Sequence, residues 1–205
     1  MTLSTPTNSP YFTVEELVEF GFSTVGNNCK ISRKCSFYCI TGEIGNNVRI
    51  DDFCIIKGRV TFQSYIHVGA YTLISGVGGD VLLENCSTLS SGVHVYSASD
   101  DYSATALSST SVPQKYTVTR SGPITFHAGS LVGAYTLILP NSVIGHGASV
   151  GAHCIVYGHI PDGAVVASRN AIGKIINYRD TKKIADLVQQ VIKPIQSASD
   201  KLGQG

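Results

Sequence analysis

The sequence predicts an all-β solenoid, a parallel β-helix wound from short strands. Three observations predict it. Between Leu131 and Val166, residues Val132, Ile138, Ile144, Val150 and Val156 recur every six positions. Four places after most of them stands a small residue: Thr136, Ser142, Ala148 and Cys154. The same beat runs upstream through Ile44, Ile50, Ile56, Phe62, Val68 and Ile74 in one frame. A six-residue period fits neither an amphipathic helix nor an alternating strand. It fits stacked coils in which each hexad lays one short strand on one face. The aliphatic residue fills the shaft, and the small residue points in where little room remains. Gly133, Gly145 and Gly151 directly follow aliphatic positions. They suit a turn that needs either φ > 0 or close backbone approach.

Taken in order, residues 1–22 read as a leader and a capping helix. Thr13 and Glu16 form a capping box, and the helix stops at Gly21. A solenoid exposes shaft atoms and strand edges at its ends, so a lid is expected there. The β-helix occupies residues 23–167. Val25, Ile31 and Phe37 lead its first hexads, and an irregular YCITGE follows. A three-residue slip at Gly76–Gly79 moves the frame to Leu83, Leu89 and Val95, which implies an outward bump at a corner. From 97 to 122 no hexad survives. A loop this long inside a compact domain is functional or disordered, and Tyr102 and Tyr116 are its candidate anchors. The frame restarts at Ile124–Phe126. At about 18 residues per turn, the hexads give roughly five to six turns. Residues 168–205 read as a C-terminal segment and a helix capped at Asp180/Thr181, with Ile184, Leu187, Val188 and Val191 on one stripe.

With 15 Lys and Arg against 14 Asp and Glu, the chain shows no basic field for nucleic acid. No apolar run reaches the length of a membrane span, and the N-terminus lacks the pattern of a signal peptide. A cytoplasmic protein is expected. Four of the six Cys (Cys29, Cys35, Cys54 and Cys154) fall on the small inward position, where a free Cys behaves as a small hydrophobe. Cys39 and Cys86 lie off it and have no assignment.

Particular words narrow the reading further. They are Tyr11-Phe-Thr-Val-Glu-Glu-Leu, the run from Ile44 to Ile55, Ile66-His-Val-Gly-Ala-Tyr, Leu89-Ser-Ser and Tyr96-Ser-Ala-Ser-Asp-Asp-Tyr-Ser. Over about residues 11–180 the chain resembles the left-handed β-helix acyltransferases of surface polysaccharide synthesis. The words are similar to the subgroup with dTDP-4-amino-4,6-dideoxyglucose acyltransferases, and the hexads also to galactoside acetyltransferases. The resemblance implies left-handed coils, a homotrimer, and acetyl-CoA or another acyl-CoA bound between neighbouring coils. It implies direct acyl transfer to an amino-sugar nucleotide, or alternatively to a hydroxyl of a saccharide. A non-catalytic scaffold and a metal-dependent, hydratase-like protein using His67, His94 and His127 are the more distant alternatives. No metal is expected.

The resemblance also suggests site residues. A base near neutral pH suits His, and His67 alone of six His falls in a subgroup word. His94, His127, His146, His153 and His159 read as solvated corner residues. In galactoside acetyltransferases the catalytic His follows the last hexad before the long loop, and here that place holds Asp100. Asp100 therefore joins His67 as a catalytic candidate, with Asp101 and Tyr102 as substrate-binding candidates. His67 and Asp100 are expected at different corners of one chain, to meet only across a subunit boundary. For coenzyme A the family positions match Ala134, Ala152, Tyr157, Gly158 and Lys174. Small side chains at Ala134 and Ala152, one turn apart, would let a pantetheine arm lie against backbone, and Lys174 would meet a phosphate. Asn141 stands where a left-handed backbone is expected, which Asn tolerates.

Overall fold

The computed structural model describes residues 9–167. Residues 9–98 with 121–167 form one compact unit, and residues 99–120 belong to a second.

The first unit is the predicted solenoid. Its strands fall on three faces. The first carries Phe22–Val25, Ile124–Phe126, Val143–Ile144 and His159–Ile160, with the C-terminal halves of Ser36–Ile44, Ile55–Phe62 and Leu73–Leu83. The second carries Lys30–Ile31, Arg49–Ile50, His67–Val68, Thr88–Leu89, Leu131–Val132, Ser149–Val150 and Val165–Val166. The third holds the N-terminal halves of the three long strands, then His94–Tyr96, Leu137–Ile138 and Ile155–Val156. All of these pairings are parallel, and equivalent hexad positions meet, as in Ile50↔Val68, Val68↔Leu89 and Leu89↔Val132. Six coils close, and two strands of a seventh follow, slightly more than the hexads alone suggest.

The hexad aliphatics from Ile31 onward line the shaft and are buried. Ile56, Val68, Ile74, Leu89, Val95, Val132, Ile138 and Ile144 are all fully inaccessible. Cys35, Cys54 and Cys154 are buried among them and Cys29 partly so, all as free thiols. The neighbouring Cys35 side chain and burial both push the Cys54 thiol up, which keeps it an inert filler.

The slip at Gly76–Gly79 is a bulge inside one continuous strand, Leu73–Leu83. Gly58 pairs with Gly76 and Val60 with Val81, so residues 77–80 stand opposite Arg59 alone. YCITGE is likewise continuous strand, with a bulge between Tyr38 and Thr41. A bulge re-aims the strand around a corner without ending its pairing.

Close approach is what the glycine after the aliphatic residue supplies. A Cβ on Gly133 would lie 2.5 Å from the backbone nitrogen of Ala152 in the next coil, and Gly133 has no positive φ. The left-handed backbone sits two places later, three after the aliphatic residue. Asn28, Asn47, Tyr65 and Cys86 adopt it, as do Phe53, Tyr71, Tyr135 and His153, and Asn141 as expected. Cys86 thereby finds its place on an exposed corner, and Cys39 another, with φ 50°.

The N-terminal lid is a short helix, Val14–Glu19, with the Thr13/Glu16 capping box formed and Leu17 buried. Phe12, Phe20 and Phe22 gather around Phe37 with ring centroids 5.1–5.9 Å apart, closing the first coil. Arg33 ties the lid down through Glu16 at 2.7 Å. Among the described residues no helix is long and apolar enough to cross a membrane. The expected C-terminal helix lies outside the described residues.

Candidate active site

His67 and Asp51 lie on adjacent coils of the second face. Arg49 pairs with His67 and Ile50 with Val68, so the outward side chains flanking the shaft residues meet diagonally. His67 Nε2 stands 2.9 Å from Asp51 Oδ2, and Arg49 Nε donates to Asp51 Oδ1 at 2.7 Å. Burial raises the Asp51 carboxyl, but the hydrogen bonds from His67 and Arg49 outweigh it and hold the group below its ordinary value. The carboxylate thus fixes one ring nitrogen of His67 and leaves the other unengaged among the described residues. Asp51 was not singled out from the sequence. Its signal was a spacing of 16 residues from His67, two short of one coil, which puts the two on opposite sides of stacked aliphatics.

The acid doublet of the loop divides its labour. Ala98–Asp100 and Thr119–Ser121 form a two-stranded sheet at the loop's base. Asp101 is buried and spends its carboxylate on the loop itself. Ser103 donates through its backbone N–H at 3.1 Å and through its hydroxyl at 2.8 Å, and Thr105 donates its hydroxyl. Arg120 approaches to 3.3 Å. The hydrogen bonds from Thr105 and Ser103 hold the Asp101 carboxyl far below the usual carboxylate range. The backbone adds Asp101 N–H to Val118 C=O and Leu107 N–H to Tyr116 C=O. Asp100, at the strand end, is half-buried, and its carboxylate has no partner among the described residues. Tyr102 exposes its ring, and Tyr116 ends a 3₁₀ turn, Gln114–Tyr116.

Of the residues matched to a coenzyme A site, four are described. Ala134 and Ala152 stack on successive coils, where His153 N–H donates to Ala134 C=O at 2.9 Å. Tyr157 and Gly158 follow at the next corner, with Tyr157 exposed and open space where a Gly158 Cβ would point. The four residues bracket the strand Ile155–Val156, whose Ile155 is exposed. Lys174 lies outside the described residues.

The remaining His differ from one another. His94 and His159 are exposed on strands rather than corners. His153 stacks on Tyr135 at 5.4 Å. His127 and His146 stack on each other at 4.6 Å, and His127 faces Glu84.

No protein-family model matches the chain. It is 39% identical over 145 residues to the dTDP-4-amino-4,6-dideoxy-D-glucose acyltransferase of Escherichia coli, covering 69% of this chain and 75% of that one. It is similar to AntD, an N-acyltransferase from Bacillus cereus, in a crystal structure with dTDP and 3-hydroxybutyryl-CoA. There the identity is 36%, the TM-score 0.72, and the match covers 92% of this chain and 99% of that one. A serine-to-cysteine variant of AntD, solved with dTDP-4-amino-4,6-dideoxyglucose and coenzyme A, matches at 36% identity and a TM-score of 0.73, covering 91% and 99%.

Proposed function

The chain belongs to the dTDP-4-amino-4,6-dideoxyglucose acyltransferase family, and from that premise we propose that it carries an acyl group from coenzyme A to the amine of a dTDP-linked amino sugar. The observation that carries this reading is the likeness to AntD across nine-tenths of the chain, in complexes that hold an acyl-CoA, or the amino-sugar nucleotide with coenzyme A. The amine lone pair attacks the thioester carbon. The C–S bond breaks, coenzyme A leaves as thiolate, and the ammonium proton passes through a base to that sulfur. Ala134, Ala152, Tyr157 and Gly158 line the pantetheine path. Acetyl is the expected acyl group. The working unit is a homotrimer in the cytoplasm.

Asp100 serves as the base, and Tyr102 packs against the substrate. What supports Asp100 is that its neighbour Asp101, a substrate-binding candidate by sequence, is committed to shaping the loop, while the Asp100 carboxylate has no partner among the described residues. An amine attacking a thioester needs its proton removed only as the C–N bond forms, which a carboxylate in place accomplishes. A second reading makes His67 the base, favoured by its hydrogen bond to Asp51, an arrangement that orients an imidazole.

The test supplies dTDP-amino sugars with acetyl-CoA and longer acyl-CoAs and follows release of free thiol. Turnover that requires the sugar amine is expected. Asp100→Asn should lower kcat by about 10²–10⁴-fold with little change in the KM for acyl-CoA, while His67→Ala stays within a few-fold of the parent. The reverse pattern assigns the base to His67. Absence of amine-dependent thiol release with every sugar sinks the proposal. Sedimentation equilibrium should give three times the 21.7 kDa chain mass.

A further inference from the structure

We propose that Glu84, His127 and His146 form a binding site for a divalent transition-metal ion of the zinc type, spanning three coils of the solenoid. The sequence alone predicts no metal, and this site uses none of the proposed acyl-transfer residues. Glu84, His127 and His146 stand at one corner, directly after the shaft residues Leu83, Phe126 and Ile144 or one place beyond. Their candidate ligand atoms all lie within 4.8 Å of one another. The backbone under each is fixed. Glu84 N–H donates to Phe126 C=O and His127 N–H to Ile144 C=O, each at 2.9 Å, and His146 N–H donates to Asp162 Oδ1 at 2.8 Å. Glu84 Oε2 accepts from Ala128 N–H at 3.1 Å, which leaves Oε1 turned to His127.

The decisive contact is between His127 Nδ1 and Glu84 Oε1, 3.1 Å apart. That nitrogen is buried and has no hydrogen-bond partner among the described residues, so the short separation is not aligned for a shared proton. A proton needs the line between the two atoms. A metal ion does not, because it sits to one side and accepts a lone pair from each. Two ligands on one tetrahedral zinc, at about 2.0–2.2 Å from it, lie about 3.3–3.6 Å apart. The observed 3.1 Å falls a few tenths of an ångström short of this. The His146 ring, exposed and stacked at 4.6 Å on His127, needs only a side-chain rotation to bring a nitrogen in. One carboxylate oxygen and two imidazoles suit zinc, cobalt(II) or nickel(II) better than magnesium or calcium. Three protein ligands leave one position for water.

The consequence is a staple. Glu84 lies before the long loop and His127 after it, so the ion would join the coils that the loop interrupts in sequence.

The test strips the full-length protein with a chelator and titrates zinc by calorimetry, with cobalt(II) absorption reporting coordination geometry. One zinc per chain, a tetrahedral cobalt(II) spectrum and a rise in Tm with zinc are expected. Loss of even an outer-shell partner costs about 10–100-fold in affinity, so Glu84→Gln and His127→Ala should each lose about 100-fold or more. His146 is exposed, so His146→Ala leaves the shaft intact. Its loss of affinity and of the Tm rise keeps the test valid if His127→Ala fails to fold. Cys39→Ser/Cys86→Ser, which removes the exposed thiols, should bind as the parent does. No saturable binding, binding that survives His146→Ala unaltered, or binding abolished by the Cys replacements overturns the assignment.

Discussion

Replacing Gly133 with Ala, beside Gly147 with Ala, separates crowding from backbone conformation. The two glycines sit at the corners of successive coils for different reasons. Gly133 has no positive φ, but an added Cβ would meet Ala152 N at 2.5 Å, Gly151 C at 2.7 Å and Ala152 Cα at 2.9 Å. All three are backbone atoms, held by Gly133 N–H to Val150 C=O and Gly151 N–H to Val166 C=O, both 2.7 Å. No flexible side chain can move aside, so the coils must part. Such overpacking costs about 1–3 kcal/mol. At about 2–4 °C per kcal/mol for a chain of this size, Tm should fall by roughly 2–12 °C. Gly147 has φ 62° and nothing within 4 Å of an added Cβ. There Ala meets only the left-handed penalty of about 1–2 kcal/mol, offset by about 0.4–1 kcal/mol from a stiffer unfolded chain. Gly147→Asn should come close to the parent, since Asn holds this conformation at Asn28, Asn47 and Asn141. Thermal melts followed by circular dichroism read all three, the chain having no Trp. If Ala152 lines the coenzyme A path as proposed, Gly133→Ala should also raise the KM for acyl-CoA, because the displaced backbone belongs to Ala152. Equal melting of Gly133→Ala and Gly147→Asn would refute the argument from coil spacing.

Two further outcomes follow from the burial pattern. Asp101→Asn should speed proteolytic cleavage within residues 99–120 while the coils resist. Because the Asp101 carboxyl is held far below its ordinary value, its contribution is fully present above the unfolded pKa of about 3.9 and is lost as pH falls through the folded one. The protection should thus persist at pH 5 and fade well below pH 4, and a loop that opens on acidification from pH 7 to 5 would contradict this. Of the six Cys, Cys39 and Cys86 should react with a thiol reagent at once, whereas Cys35, Cys54 and Cys154 should wait for denaturant. Rapid reaction of Cys54 would show that the shaft is not packed as described.

The shaft was legible because it repeats. Each of Ile44, Ile50, Ile56, Phe62, Val68 and Ile74 faces the same environment, so the pattern restates itself and a single error would stand out. The corners were half legible. Close approach and positive φ both favour glycine, and only coordinates separate Gly133, which needs the first, from Gly147, which has the second. The site was less legible still, since its pairs are set by coil stacking. Asp51 and His67 meet from 16 residues apart. Glu84 and His127, which stack directly, are 43 apart, because the loop lengthens that one coil. A spacing rule tuned to 18 finds neither.

The position of the loop explains why the acid doublet splits its roles. Across the insertion the coils pair without a break: Leu83 with Phe126, Leu89 with Val132, and Val95 with Ile138. The register of the coils is therefore kept across the loop, whose length costs only logarithmically. A segment under no demand from the shaft must hold itself. Ser, Thr and Asp dominate it, so its internal order comes from hydrogen bonds around a buried carboxylate rather than from apolar packing alone. Asp101 supplies that carboxylate, collecting Ser103, Thr105 and Arg120. A side chain so engaged has no capacity left to take a proton from a substrate. Asp100, one residue earlier, ends the strand Ala98–Asp100, and its carboxylate has no partner among the described residues. Anchoring one carboxylate leaves the other available for the proposed role as base. If so, Asp101→Asn should lower kcat indirectly and raise the KM for the sugar nucleotide, whereas Asp100→Asn lowers kcat alone.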